Sequence, residues 1–122
     1  MNFTIHKISG QRIAELDGND QIIRSVDDAV DLLGNASHQD AQKVIVFQSQ
    51  LHPDFFDLRT GIAGEILQKF SNYRMQLAIV GDFGNISSKS LRDFIRESNR
   101  QRRILFTGTR DEAVQQLSKE NS

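Results

Sequence analysis

Apolar and polar residues alternate at the start of the chain with the two-residue period of strands that bury one face. The alternation runs over residues 3–8 and again over residues 12–16, and Ser9-Gly10-Gln11 between them has the composition of a turn. Two alternating runs joined by a short glycine-containing turn predict a β-hairpin. Ile22-Ile23 follows a polar loop and predicts a further short strand.

Three later runs are apolar almost throughout, which is typical of strands covered on both faces of a sheet. They are residues 43–47 (KVIVF), 75–80 (MQLAIV) and 104–106 (ILF). Each run has the length of a strand and is followed by a segment with a different period. The sequence therefore predicts three central strands after the hairpin.

Four segments carry apolar residues three or four positions apart, the spacing of amphipathic helices. Their predicted limits are, in chain order, Ser25 to Gly34-Asn35, Asp54 to Tyr73, a start at Ser87 or Ser88, and a start at Thr109. The serines and the threonine are residue types that cap helix N-termini. Glu112, three residues after Thr109, completes the pattern of a capping box.

Strands that alternate with helices imply right-handed crossovers and a mostly parallel sheet. We therefore predict an α/β fold with a mostly parallel central sheet, an N-terminal antiparallel strand pair and about four helices. A length of 122 residues fits one domain, which we place at residues 1–117. The polar residues 118–122 are predicted to form a frayed C-terminal tail.

The amino-acid composition argues against cysteine-dependent sites, nucleic-acid binding and membrane association. The chain has no cysteine, which excludes disulfides, a thiol nucleophile and cysteine-based metal sites. It has 15 basic and 16 acidic residues, so its net charge does not favour nucleic acid as a partner. The N-terminus lacks the pattern of a signal peptide, and no apolar run approaches the ~20 residues of a membrane span. We therefore expect a cytoplasmic protein with no membrane partner.

Polar residues concentrate in the loops after the three central strands, at residues 48–57, 81–86 and 107–109. Open parallel sheets bind ligands beyond the carboxyl ends of their strands, so these loops are where a pocket is expected. His52 beside Asp54 has the composition of a base and its orienting carboxylate. A histidine that precedes a proline in a loop is also typical of a solvated surface residue.

The same loops contain carboxylates with more than one interpretation. Asp57 stands where a helix is predicted to start and is a good capping residue, and with Asp54 and Asp82 it has the composition of a magnesium site. The three histidines do not have the spacing of metal ligands, and no complete catalytic motif is present. We therefore predict no catalytic residue, no metal site and no cofactor.

One basic stripe lies on the third predicted helix, where Lys89, Arg92, Arg96 and Arg100 fall on one face. Such a stripe is able to contact phosphates, and it is equally typical of a solvated helix face. No aromatic side chains are interleaved to stack on bases. We therefore expect nucleic acid not to be a partner.

Three stretches resemble the bacterial domain-of-unknown-function family 4180. They are residues 53–70 (PDFFDLRTGIAGEILQKF), 77–83 (LAIVGDF) and 88–99 (SKSLRDFIRESN). Together they extend the resemblance over nearly the whole chain. That family has no established activity, so the resemblance implies little about mechanism.

A second resemblance, in element order, is to the STAS domains of anti-sigma-factor antagonists. Those domains have an N-terminal strand pair and a turn, Asp-Ser-Ser/Thr-Gly-Leu, that carries a regulatory phosphoserine at the start of a helix. Here the matching turn is residues 57–62 (DLRTGI), with one additional residue. The phosphoserine position therefore falls on Leu58 or Arg59, and Thr60 matches the second hydroxyl of the turn. The resemblance implies a STAS-like fold and makes Thr60 a candidate phosphoacceptor.

These observations favour a non-enzymatic regulatory module that binds a protein partner. Phe55 and Phe56 are expected to be exposed for docking, and Gly61 and Gly64, expected inside a helix, suggest the close approach of another molecule. The predicted binding surface comprises His52, Asp54, Phe55, Phe56, Asp57, Arg59, Thr60, Gly61, Gly64 and Asp82. The alternative is a small-ligand-binding domain or an enzyme that uses a polar pocket at the same loops. The strand at residues 3–8 is also able to pair across a homodimer.

Overall fold

Five strands and four helices follow one another along the chain in the computed structural model, which describes residues 1–119. In chain order the elements are β1 (Phe3–Ile8), β2 (Gln11–Leu16), α1 (Val26–His38), β3 (Lys43–Phe47), α2 (Ile62–Asn72), β4 (Gln76–Val80), α3 (Lys89–Gln101), β5 (Ile104–Thr107) and α4 (Arg110–Ser118). Three short 3-10 turns, Gln48–Gln50, Pro53–Phe56 and Leu58–Thr60, separate β3 from α2.

The strands form one sheet in the order β1-β2-β3-β4-β5. The β1–β2 pair is antiparallel and every other pair is parallel. The predicted α/β architecture with its antiparallel N-terminal pair is therefore confirmed. Ile22-Ile23 does not form a strand, because only Ile23 pairs, through one isolated parallel bridge to Leu51.

The two faces of the sheet are covered unequally. Successive right-handed crossovers between neighbouring parallel strands place their helices on one face, and α1, α2 and α3 contribute to the same large core. Only α4 covers the other face, where Ala113 and Leu117 pack on Ile13, Ile45 and Leu105. No helix among residues 1–119 combines the length and the apolar character needed to cross a membrane.

Three of the four predicted helix starts, those of α1, α3 and α4, are confirmed at atomic detail. The N–H of Asp28 donates to Ser25 Oγ at 3.2 Å, and Ser88 accepts the N–H of Leu91 in the same way. Thr109 caps α4 by accepting the N–H of Glu112 at 3.1 Å. The capping box is modified, because the Glu112 carboxylate accepts the N–H of Gly108 rather than that of the cap residue.

Two predicted helix limits are wrong. Helix α1 does not end at Gly34-Asn35 but continues to His38. The reason is that its buried face extends past the glycine, from Leu33 before it to Ala36 after it. Helix α2 begins at Ile62 instead of Asp54. The segment before it is broken by an extended backbone at Asp57 and by a left-handed one at Gly61.

The predicted tail begins where α4 ends. Ser118 is the last residue of that helix, and its hydroxyl donates to the carbonyl of Val114 at 2.6 Å. Residues 120–122 of the predicted tail lie outside the described residues. The boundary of the domain at residue 117 therefore stays a prediction.

A buried glutamine joins the loops at the carboxyl ends of β2 and β3. Gln50 is fully buried, and its Oε1 accepts the N–H of Phe47 at 2.8 Å. Its Nε2 donates to the carbonyls of Leu16 and Gly18 at 2.9 and 2.8 Å. Its backbone carbonyl accepts the N–H groups of Ile22 and Ile23. One side chain therefore satisfies three backbone groups that would otherwise be buried without partners.

We predict that Gln50→Leu, which keeps the volume and removes the hydrogen bonds, lowers the free energy of unfolding by about 3 kcal/mol. Urea denaturation followed by circular dichroism measures the change. Gln68→Leu is the matched control, because Gln68 is exposed and bonds only Asn72 on the same helix. An equal small effect of both substitutions would show that the Gln50 network contributes little.

Candidate functional site

Phenylalanine side chains fill the crevice at the carboxyl ends of β3, β4 and β5. The ring of Phe106 contacts those of Phe55, Phe83 and Phe94, with centroids 6.5, 5.2 and 6.2 Å away. Phe56 contacts Phe55 and Phe83 at 5.0 and 6.0 Å. The place where open α/β sheets bind ligands is therefore partly occupied by the protein's own aromatic side chains.

The expectation of an exposed Phe55–Phe56 pair is wrong. Phe55 is 2 % exposed and belongs to the large core, and Phe56 is half-buried. The reason is long-range packing, because Phe55 inserts against Phe106 of β5 and thereby anchors its whole loop. The loop is consequently fixed in position although most of its polar residues face solvent.

Residues 53–61, named here the β3–α2 segment, are held mainly by hydrogen bonds to their own backbone, and their exposed residues are 53, 54 and 59–61. Asp54 lies within the 3-10 turn Pro53–Phe56, and Asp57 directly precedes the turn Leu58–Thr60. The carbonyl of Asp54 accepts the N–H of Asp57 at 3.2 Å. Asp57 Oδ1 accepts the N–H of Arg59 at 3.1 Å, which caps the second turn. Asp57 is thus a cap of this short turn and not of the long helix predicted from the sequence.

His52 and Asp54 lie next to each other at the entry to the β3–α2 segment. The Nδ1 of His52 accepts the backbone N–H of Asp54 at 3.0 Å, and the Asp54 carboxylate lies 3.6 Å from the same nitrogen. In a catalytic pair the carboxylate would receive a proton from this ring nitrogen. Here Nδ1 is engaged as an acceptor, so the contact acts as a local cap.

Asp57 and Arg59 form an exposed two-point ion pair. Arg59 Nε donates to Oδ1 at 3.0 Å and Nη2 to Oδ2 at 2.9 Å. The side-chain hydrogen bonds from Arg59, followed by its backbone N–H, lower the pKa of Asp57 from its usual value. The Arg59 side chain is 91 % exposed, so the guanidinium is presented on the surface while its direction is fixed by the aspartate.

Thr60 lies at the point where the β3–α2 segment enters α2. Its hydroxyl oxygen is 2.8 Å from the carbonyl oxygens of both Asp54 and Asp57, which share its single proton. The same oxygen accepts the N–H of Ile62, the first residue of α2, at 3.3 Å. The residue is exposed, and its hydroxyl sits at the positive end of an 11-residue helix.

The two glycines of the predicted surface have different explanations. Gly61 is not inside a helix but adopts a left-handed backbone with φ +77°, a conformation that side chains disfavour. Gly64 is inside α2, and an added Cβ there would meet no atom within 4 Å. No part of the described chain approaches Gly64 closely, so the expected close approach is not made within the molecule.

Asp82 lies apart from the β3–α2 segment. Its Oδ1 accepts the N–H of Gly84 at 3.3 Å, and it lines a depression of about 420 Å³ between the β4 and β5 loops. Asp57 lines a different depression of about 610 Å³, together with Phe56, Arg59 and Ser88. The rings of Phe56 and Phe83 lie between the two loops. Within residues 1–119, no three His, Asp or Glu side chains are placed to hold a metal ion.

The basic stripe of α3 is neutralised locally. The Asp93 carboxylate lies 2.8 Å from Lys89 Nζ and 2.5 Å from Arg96 Nη2. The Glu97 carboxylate lies 2.5 Å from Arg100 Nη2. The Arg100 and Lys89 hydrogen bonds lower the pKa values of Glu97 and Asp93, respectively. Arg92 instead donates to the carbonyls of Ile86 and Ser87. This face therefore has the ion pairs of a solvated helix.

One cluster was not predicted from the sequence. Glu15 is buried on β2, and its Oε1 lies 3.0 Å from both His6 Nε2 and Arg110 Nε. The cluster ties β1, β2 and the first residue of α4 together. The strand register of the hairpin is the feature that would have predicted this cluster. His6 pairs with Ile13, and Glu15 is therefore the diagonal neighbour of His6 on the same face.

Comparison with known families decides the classification. The family model described as domain of unknown function DUF4180 matches residues 8–117. The chain belongs to this family. No significant match to the chain is found among curated proteins or among solved structures. The match to DUF4180 covers all of the candidate surface described above and confirms the family resemblance of the sequence.

For this DUF4180 chain we predict that Arg59→Ala raises the pKa of Asp57, because the side-chain hydrogen bonds that lower it are lost. A folded-state pKa below the unfolded one stabilises the protein above the unfolded pKa. That contribution disappears as the pH falls through the folded pKa. An NMR titration of the Asp57 carboxyl carbon measures the shift.

Arg100→Ala is the matched control for this titration, since Arg100 pairs with Glu97 and not with Asp57. It should raise the pKa of Glu97 and leave that of Asp57 unchanged. An unchanged Asp57 pKa in Arg59→Ala would show that the ion pair does not persist in solution.

Proposed function

We propose that this protein is a non-enzymatic regulatory module of STAS-like fold, bacterial and cytoplasmic, that acts without a cofactor by docking a protein partner on its β3–α2 segment. One observation carries the proposal. The segment is exposed but firmly anchored, and it presents the Asp57–Arg59 pair in a fixed direction on the surface. A fixed polar surface without free reactive groups suits recognition of a partner better than chemical turnover.

The STAS-like part of the proposal is supported by the position of the segment. It connects the central strand β3 to α2, as the regulatory turn does in the domains that the sequence resembles. The strand pair that precedes the parallel strands also agrees with that resemblance. The chain differs in the three 3-10 turns that stand between β3 and α2.

The partner surface is expected to carry complementary charge. Arg59, with 91 % of its side chain exposed, offers donors to a partner carboxylate. The open backbone around Gly64, where a Cβ would meet no atom within 4 Å, leaves room for a partner beside the start of α2. A homodimer through β1 stays a separate prediction, since β1 pairs with β2 on only one of its edges.

Phosphorylation of Thr60 would regulate this docking by replacing the Asp57–Arg59 ion pair with a pair between the phosphate and Arg59. A phosphate on the hydroxyl must give up the bonds to the Asp54 and Asp57 carbonyls, and it is stabilised by the first turn of α2. The dianion competes with the Asp57 carboxylate for Arg59, the neighbouring cation. The phosphorylated form would then present negative charge where the free form presents the guanidinium.

We predict that a partner captured by the wild-type protein from its own cells is lost when Asp57→Asn and Arg59→Ala are combined. Quantitative mass spectrometry of the captured partner should show at least a ~10-fold decrease. The control combines Glu97→Gln and Arg100→Ala, which removes another surface ion pair, that of α3. Equal capture by both variants would contradict docking on the β3–α2 segment.

We also predict that phosphate, when mapped on the protein from its own cells, lies on Thr60 and weakens capture of that partner. Thr60→Ser should keep both properties, and Thr60→Val should remove the modification. Because Thr60→Val also removes the bond to the N–H of Ile62, its folding is checked by thermal denaturation. A phosphate that maps to other residues only would contradict the role of Thr60.

A further inference from the structure

The sheet has two edge strands, β1 and β5, and β5 is the protected one. The N–H of Gly81 donates to the carbonyl of Thr107, so the neighbouring Phe106 points its backbone groups away from β4. The outward N–H of Phe106 donates to Asn99 Oδ1 of α3 at 2.7 Å. Strand β5 is also only four residues long. Short length and a covering helix are two of the ways in which natural sheets protect an edge.

Strand β1 forms the other edge with six residues, and the hairpin fixes which of them face outward. The N–H of Asp17 donates to the carbonyl of Asn2, and the turn at residues 9–10 has the two positive φ angles of a type I′ hairpin. Bonded and non-bonded positions alternate along an antiparallel pair, and both ends of the hairpin place the bonded ones at the even-numbered residues of β1. The residues that direct their backbone groups outward are therefore Phe3, Ile5 and Lys7.

These outward groups are an open template for a further strand. Each of the three residues has one N–H and one C=O, and none of these groups is hydrogen-bonded within residues 1–119. The strand contains no proline, and its six residues pair with β2 without a bulge. A straight edge with a row of unpaired backbone groups is the kind to which another strand adds.

The side chains at this edge are partly apolar and only half-buried. Phe3 and Ile5 lie opposite Leu16 and Ala14, on the face of the sheet that α1 covers. Leu16 and Ala14 are buried, whereas Phe3 and Ile5 each keep part of their surface in water. A strand added beside β1 would therefore cover apolar surface in addition to pairing the backbone groups.

We propose that β1 pairs with β1 of a second copy of this chain, antiparallel and about a two-fold axis at Ile5. This register bonds Ile5 to the partner's Ile5, and Phe3 to the partner's Lys7. All three outward N–H groups and all three outward C=O groups of each copy are then paired. The register also keeps like charges apart, because Lys7 lies opposite an aromatic side chain and not opposite another lysine.

The occupant is a second copy because the two-fold pairing closes the assembly. An isologous interface uses the same patch on both copies and leaves none of it for a third. Two five-stranded sheets join into one sheet whose outer edges are both β5, the strand that Asn99 covers. The pairing does not involve the β3–α2 segment, so it is independent of partner docking. Where docking occurs, the dimer presents two docking segments to the partner.

The first test uses the full chain between ~10 μM and ~1 mM, because two six-residue strands bury less surface than a standard interface and form a weak dimer. Analytical ultracentrifugation should show the mass rising from the 13.9 kDa of one chain towards twice that value. Amide hydrogen exchange should slow by at least ~10-fold at Ile5 and Lys7 over the same range. The amide of His6, which bonds β2 in the single chain, is the internal control and should change little.

A proline on the edge tests the outward N–H directly. Lys7→Pro removes the N–H of residue 7, which does not bond β2, and proline is tolerated on an edge strand at such a position. Lys7→Thr is the matched control, because it also removes the lysine side chain but keeps the N–H. Each dimer loses two hydrogen bonds in the proline variant, so we expect dimerisation to weaken by at least ~10-fold, against less than ~3-fold in Lys7→Thr. Unchanged exchange protection of His6 shows that the hairpin of each variant is intact.

A mixed-label NMR sample of the unaltered chain decides the register and keeps the test decisive if Lys7→Pro does not fold. The proposed register places Thr4 opposite the partner's His6 as a non-bonded pair, with Cα atoms about 4.5 Å apart. We expect an intermolecular NOE between the Hα atoms of these two residues. The proposal is overturned if the chain stays a single copy up to ~1 mM. It is equally overturned if a dimer forms without this NOE, or if Lys7→Pro weakens the dimer no more than Lys7→Thr does.

Discussion

The strand order of this sheet constrains where every helix lies. Each parallel strand pairs with the next one in the sequence, and right-handed crossovers between such neighbours put all connecting helices on one face. The other face receives only α4, which has nine residues and buries Ala113 and Leu117. The Glu15 cluster compensates for this small contact by joining the start of α4 to both strands of the hairpin. The buried glutamate is thus part of how the second layer is held.

The same topology gives the two ends of the sheet different characters. At the carboxyl ends, long loops fold back, and their aromatic side chains close the crevice around Phe106. At the amino ends, the connections are short, and the early start of β2 leaves the sheet open beside β3. The rule that ligands bind beyond the carboxyl ends describes crevices that are empty. Here Phe83 and its neighbours fill part of the crevice and leave depressions of about 420 and 610 Å³ beside them, and a further recess of about 700 Å³ lies at the opposite end.

Periodicity predicted the strands and the helix starts because those depend on local sequence. Two-residue alternation and continuous apolar runs located all five strands, and capping residues located the starts of α1, α3 and α4. The β3–α2 segment escaped prediction because its apolar spacing continues that of α2. Its actual path depends on an extended backbone at Asp57 and a left-handed one at Gly61. Local spacing carries no information about either torsion angle.

The candidate sites were less predictable because they depend on distant contacts. The burial of Phe55 follows from Phe106, which lies in another strand, and composition alone indicated an exposed docking residue. Gln50 looks like an ordinary loop residue until the loop after β2 is placed against it. The outward backbone groups of β1 are visible only once the register of the hairpin is known. Residue types predicted the chemistry available, and only the fold shows which groups meet.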